Sequence, residues 1–161
     1  MIEVEIEDDA WTAAVDRARV IVNATARAAL RAAAPEIQAD QTDVVVLLTD
    51  DATLADLNQR FRGKAGPTNV LSFPAPEAAR PHLGDIAIAY GVCAREAREQ
   101  GKTLNHHLMH LVAHGVLHLV GYDHETESEA EHMEALERRV LADLGAPDPY
   151  APTAQDGGHA G

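Results

Sequence analysis

Nine histidines occur in this chain, and three of them, His114, His118 and His124, have the spacing of a metal site. The segment reads HGVLHLVGYDH. On a helix, residues four apart share one face with Cβ atoms about 6 Å apart, so His114 and His118 can both reach one ion. Imidazole nitrogens bind zinc at roughly 2.0–2.1 Å. Gly121 lets the chain leave the helix and double back, and His124 then supplies a third ligand. Three histidines leave the fourth tetrahedral position for water, which separates a catalytic zinc site from a closed structural one. The expected cofactor is one Zn2+ ion per chain. Three imidazoles also suit nickel or copper, so zinc follows from site type and availability.

The spacing equals that of the metzincin pattern H-E-x-x-H-x-x-G-x-x-H, with one difference. Gly115 stands where the glutamate would be. A zinc protease of that type needs this carboxylate beside the reacting water. The metal scaffold is present and the protease base is absent. His106, His110, His114 and His118 recur every four residues. Such a row drifts by about 40° per turn, so it cannot all face one ion. His110 is a weaker alternative ligand. His106 and His107 are expected to be exposed near the helix start, His132 on the surface of the last helix and His159 in the tail.

Arg62 lies where a helix yields to a loop, a place from which a guanidinium can grip phosphate through two hydrogen bonds. Lys64 follows it, and Thr68, Asn69 and Ser72 either bind substrate or cap the loop. Asp85 is placed to accept the second N–H of a ligand histidine or to hold the turn made by Gly84. Asp123 and Glu125 flank His124 and are candidates for the same supporting role.

The elements that must carry these residues are legible in outline. IEVEIE alternates apolar and charged residues, an edge-strand pattern. Residues 10–34 are Ala-rich with helical spacing of Trp11, Val15, Val22 and Leu30. DVVVLLT is a continuous β-branched run and reads as a buried central strand. A helix over 51–61 leads to the turn-rich loop GKAGP. NVLSF, closed by Pro74, and GDIAIA read as strands. A helix over 91–100 ends at Gly101. Thr103 can cap the metal helix, which runs to about Val120. Thr126 and Glu129 have the spacing of a capping box for a last helix ending near Gly145. The expectation is one α+β domain over 1–150, with a small mixed sheet of about four strands and about five helices. Residues 151–161 are expected to be a disordered tail.

The 161 residues carry a net charge of −13, which repels nucleic acid at long range. The charge is uneven. Arg60, Arg62, Lys64 and Arg80 face only Glu77 between residues 58 and 80, whereas Asp123 to Glu137 holds seven acids and no Lys or Arg. The single cysteine, Cys93, excludes an intramolecular disulfide and reads as a small buried hydrophobe. The acidic N-terminus lacks a signal-peptide layout, and no apolar run approaches the ~20 residues of a membrane span. A cytoplasmic protein with no membrane contact is expected.

The metal segment, together with LNQRFRGK, TNVLSFP and GDIAIA upstream, resembles the YbeY family from about Asp43 to Leu144. The motifs come in the same order. Members are bacterial endoribonucleases acting in ribosomal RNA maturation and ribosome quality control. The resemblance implies that His114, His118 and His124 bind zinc and that Arg62 is the essential arginine of the substrate cleft. Arg62 and His114 are then the expected catalytic residues, with Lys64, Asn69 and Ser72 toward substrate. It also implies trimming of single-stranded RNA near the 3′ end of small-subunit ribosomal RNA. The implied partners are the small subunit, its proteins and a ribosome-associated GTPase, without a nucleotide cofactor. Two departures stand out. The family's K-D-K-P loop reads KAGP here, and Asn105 stands near the point where a glutamate often opens the metal helix. Two other functions remain open: an assembly factor with structural zinc, and a zinc hydrolase of a non-RNA substrate.

Overall fold

The computed structural model describes residues 1–38 and 41–151. A four-stranded sheet in the order β1-β2-β4-β3 lies at its centre. The strands are β1 Ile2–Ile6, β2 Asp43–Thr49, β3 Val70–Pro74 and β4 His82–Ala89. β2 pairs in parallel with β1 and with β4, and β3 runs antiparallel along β4. The β-branched run of β2 has its cause in this order. β2 is an inner strand, and Val44, Val46 and Leu48 are fully buried. IEVEI lies at an edge with Glu3 and Glu5 exposed, as its alternation requires. Pro74 closes the other edge strand, where a missing N–H does least harm.

Among the described residues six α-helices surround the sheet: α1 Asp9–Ala14, α2 Ala18–Ala33, α3 Asp51–Arg62, α4 Tyr90–Glu99, α5 Leu104–Leu119 and α6 Glu127–Asp143. The single helix expected over 10–34 is therefore two. Trp11, Val15 and Ala18 are all buried, and Arg17 adopts φ 58° where the chain bends. Alanine content favours an unbroken helix. The anchoring of Trp11, whose Nε1–H donates to the Thr49 carbonyl at 3.0 Å, goes with the bend instead. The α+β class and the small mixed sheet of four strands are as expected.

β4 is covered on both sides. Ile86 and Ile88 join the core formed with α2 and α5, while Ala87 and Ala89 pack with Leu54, Leu71 and Val92. α5 is the central helix and packs against α2, α6, β3 and β4. Leu108, Val112, Val116 and Leu117 on it are fully buried. Each such side chain contributes roughly 1.5–3 kcal/mol, so α5 is held firmly while its histidine stripe stays partly open. The Thr103 hydroxyl caps α5 by accepting the His106 N–H at 3.1 Å. Thr126 and Glu129 form the expected capping box on α6.

Gly115 lies on the face of α5 that packs against the sheet. A Cβ there would stand 3.0 Å from two carbons of Ile86 and 3.2 Å from the Ser72 hydroxyl. The missing metzincin glutamate thus has a packing reason. Among the described residues no helix is long and apolar enough to cross a membrane. The expected tail, apart from Ala151, and His159 lie outside the described residues.

Candidate metal centre

α5 ends beside the site. The Gly121 N–H donates to His118 O at 3.1 Å and the Tyr122 N–H to Leu117 O at 3.0 Å, closing the last turn. Gly121 has φ 101°, a conformation glycine adopts at little cost. The chain reverses there, and the Asp123 carboxylate accepts the His124 N–H at 2.7 Å. Three rings meet as a result. Their centroids are 4.5 Å apart for His114–His118, 5.2 Å for His118–His124 and 5.6 Å for His114–His124. One nitrogen from each lies within 4.8 Å of the others, so the group could hold a metal ion.

The hydrogen bonds decide which nitrogens are left to face an ion. His114 Nδ1–H donates to Glu137 at 2.6 Å, and His118 Nδ1–H donates to the Tyr122 carbonyl at 3.0 Å. Both partners only accept, so in its neutral form each ring carries its lone pair on Nε2. Those two Nε2 atoms stand 3.0 Å apart. In the neutral rings two lone pairs at that distance repel unless a metal ion lies between them or a proton bridges them. Ligand nitrogens on a tetrahedral zinc sit roughly 3.3–3.4 Å apart, so the pair fits one ion. His124 is exposed, and one of its ring nitrogens lies within 4.8 Å of the other two ligand atoms. Burial, then repulsion between protonated His118 and the protonated forms of its neighbours His114 and His124, lowers the His118 pKa, which keeps that imidazole available to a metal at neutral pH.

Glu137 on α6 is the residue that sequence reasoning missed. It is fully buried. One carboxylate oxygen takes His114; the other accepts from His110 Nε2–H at 3.2 Å and from the Tyr150 hydroxyl. Burial pushes its carboxyl up, but the bonds from His110 and His114 outweigh it and hold the pKa down at about 2. The same contacts raise the Tyr150 phenol well above its ordinary value, burial first and the Glu137 bond second. Tyr150 is itself held by Arg138, whose guanidinium carbon lies 5.1 Å from its ring centroid.

An open cleft of about 970 Å³ runs past these rings. Arg62, Lys64, Asn69, Ser72, Asp123 and all three histidines line it, so residues far apart in sequence meet there. Gly63, at φ 65°, ends α3 and exposes Arg62 beside the cleft. Asn58 holds the following loop by donating to Gly66 O at 2.9 Å. Arg60 and Arg80 are engaged elsewhere, with Asp56 and the His82 carbonyl. The basic stretch therefore delivers Arg62 and Lys64 to the cleft, opposed by Asp123 and Glu125.

The family model described as Endoribonuclease YbeY matches residues 5–145. The chain belongs to the YbeY family of endoribonucleases. The endoribonuclease YbeY of Rhodopseudomonas palustris is 53% identical over 157 residues, covering 92% of this chain and 80% of that protein. The YbeY of Maricaulis maris is 50% identical over 151 residues, covering 92% and 91%. A solution structure of TM1509 from Thermotoga maritima superposes with a TM-score of 0.59 at 27% identity, over 94% of this chain and 99% of that one.

Within this YbeY-family fold, several expected residues have other partners. Asp85 is exposed and meets His82 Nε2 at 3.3 Å, not a ligand histidine. Glu137 fills that position. Asn69 donates to Glu96 at 3.0 Å, and the Ser72 hydroxyl donates to Gly115 O at 3.1 Å, so both also brace the cleft wall. His107 is buried rather than exposed, because it shares the inward face of α5 with Leu111 and donates to Glu96 at 2.9 Å. His110 turns to Glu137. His132 is exposed and stacks on Tyr122. Burial, with Glu96 adding, pushes the Cys93 thiol up to about 12, as befits a core hydrophobe. The spacing Glu137 to His114 carries no local periodicity; an acidic residue on an inward heptad-like position of α6 was the only signal available.

Proposed function

We propose that the protein is a zinc-dependent endoribonuclease specific for single-stranded RNA. Its role is maturation of the 3′ end of small-subunit ribosomal RNA and ribosome quality control, in the cytoplasm, with the small subunit and its proteins as partners. The observation that carries this reading is the convergence of two imidazole lone pairs and an exposed third histidine beside Arg62 in one open cleft. The family membership supports the reaction class.

His114, His118 and His124 would hold the ion. When bound, zinc supplies Lewis acidity to water and phosphate. Arg62 grips the scissile phosphate and offsets the charge that grows on it. Lys64 contacts a neighbouring phosphate. Glu137 and the Tyr122 carbonyl fix the tautomers of His114 and His118. The exposed side of His124 and the width of the cleft leave room for a strand, which argues against a closed structural site.

The test is cleavage of a labelled single-stranded RNA by the purified protein, by His114→Ala and by Arg62→Ala, with zinc content measured in each. Activity is expected to fall about 100-fold or more in both variants, and zinc to be lost only from the first. Equal activity in all three would trace the cleavage to a contaminant and leave the assembly-factor reading. A 2′,3′-cyclic phosphate on the product would sink direct attack by water and assign the attack to the RNA's own 2′-OH.

A further inference from the structure

We propose that Phe61 is a stacking platform for one unpaired base of the RNA strand, and that it sets the preference for single strands. This rests on the ribonuclease reading above and deepens it. Phe61 is 63% exposed. The other large hydrophobic residues exposed among the described ones are Met1, Val20 and Tyr150, and none of them lines the cleft. Phe61 does. It is the last residue but one of α3, so it adjoins Arg62 directly. Its ring is braced rather than loose. Phe73 meets it edge-on with centroids 5.4 Å apart, and the Arg60 guanidinium carbon lies 6.0 Å from its centroid.

The side-chain charge of the cleft favours such a contact. Its charged lining residues are Arg62, Lys64, Asp123 and Glu125, which cancel, on a chain of net charge −13. Side chains therefore add little phosphate neutralisation, the usual source of nucleic-acid affinity, beyond what an ion on the three histidines supplies at one point of the cleft. An aromatic face beside a phosphate-binding arginine supplies affinity that does not depend on charge. It also discriminates. The faces of a paired base are covered by its neighbours in the helix, whereas a base in a single strand can turn onto the ring.

The experiment is steady-state cleavage of a single-stranded RNA by the zinc-loaded wild type, Phe61→Ala and Phe61→Trp. Phe61→Ala is expected to raise KM roughly 5- to 150-fold, the range for loss of one stacked base. Its kcat stays close to wild type, and Phe61→Trp retains a near-normal KM. A single abasic nucleotide is then walked along the substrate. At one position it raises the wild-type KM to that of Phe61→Ala and has no further effect on the variant. A wild type that cleaves while Phe61→Ala keeps its KM would overturn the subsite. A variant deficit that adds to every abasic position would make the residue structural, and would also overturn it. A wild type that does not cleave removes the ribonuclease reading itself, and this subsite with it.

Discussion

His114 and His118 are neighbours on one helix, yet their Nδ1–H groups end on different acceptors, a buried carboxylate and a backbone carbonyl. A carbonyl in a closed turn has little freedom to leave. A carboxylate keeps its place only through its own partners, and here these are His110 and Tyr150. Glu137→Gln keeps the shape and removes the charge, and its amide N–H atoms then oppose the donors that face it. Zinc affinity is expected to fall about 10- to 100-fold, the usual effect of losing a partner behind a metal-binding histidine. Competition with a chromogenic chelator measures this, and circular dichroism confirms the fold. An unchanged dissociation constant would reduce Glu137 to a packing role. None of this was legible locally, because the carboxylate sits 23 residues from His114 on another helix.

At the scale of elements, the contact of α5 with β4 decides what residue 115 can be. The helix lies so close that a Cβ would press on Ile86. Restoring the metzincin glutamate by Gly115→Glu adds a buried carboxyl at a crowded position. It is expected to destabilise the fold by about 2–3 kcal/mol, through overpacking and an unpaired polar group. Urea unfolding measures the loss, and a peptidase assay should show no activity. A variant as stable as wild type would mean that α5 can move off the sheet. The sequence motif announced the absence of the base, and the helix–sheet distance explains it.

The whole molecule responds to pH through groups that folding moves away from their ordinary pKa values. Burial lowers the pKa of His107 and of His118 from the usual 6.5. The folded state then binds fewer protons than the unfolded chain just below that value, so stability rises with pH there. Stability fully present above 6.5 is lost as pH falls through the window below it. Glu137 acts in the same sense at lower pH, its carboxyl being held at about 2 against the usual 4.5. The metal-free protein is expected to have a lower urea midpoint at about pH 5.5 than at about pH 7.5, and His107→Gln to shrink the difference. Equal midpoints would show that these histidines protonate without cost.

What the sequence determined by itself was whatever depends on covalent spacing. The 3.6-residue period puts His114 and His118 on one face, and a glycine three residues on returns His124. Caps at Thr103 and Thr126 are local as well, and so is the β-branched run that marks an inner strand. Tertiary structure alone decided the rest. The bend at Arg17 goes with an indole that bonds a distant strand. His107 turned inward because α4 covers that face of α5 with Glu96. Arg62 and Phe61 meet the histidines only across a cleft whose walls come from α3, β3 and α5. Distances within a turn follow from the backbone; distances between elements follow from how their apolar faces pack, and no local pattern encodes those.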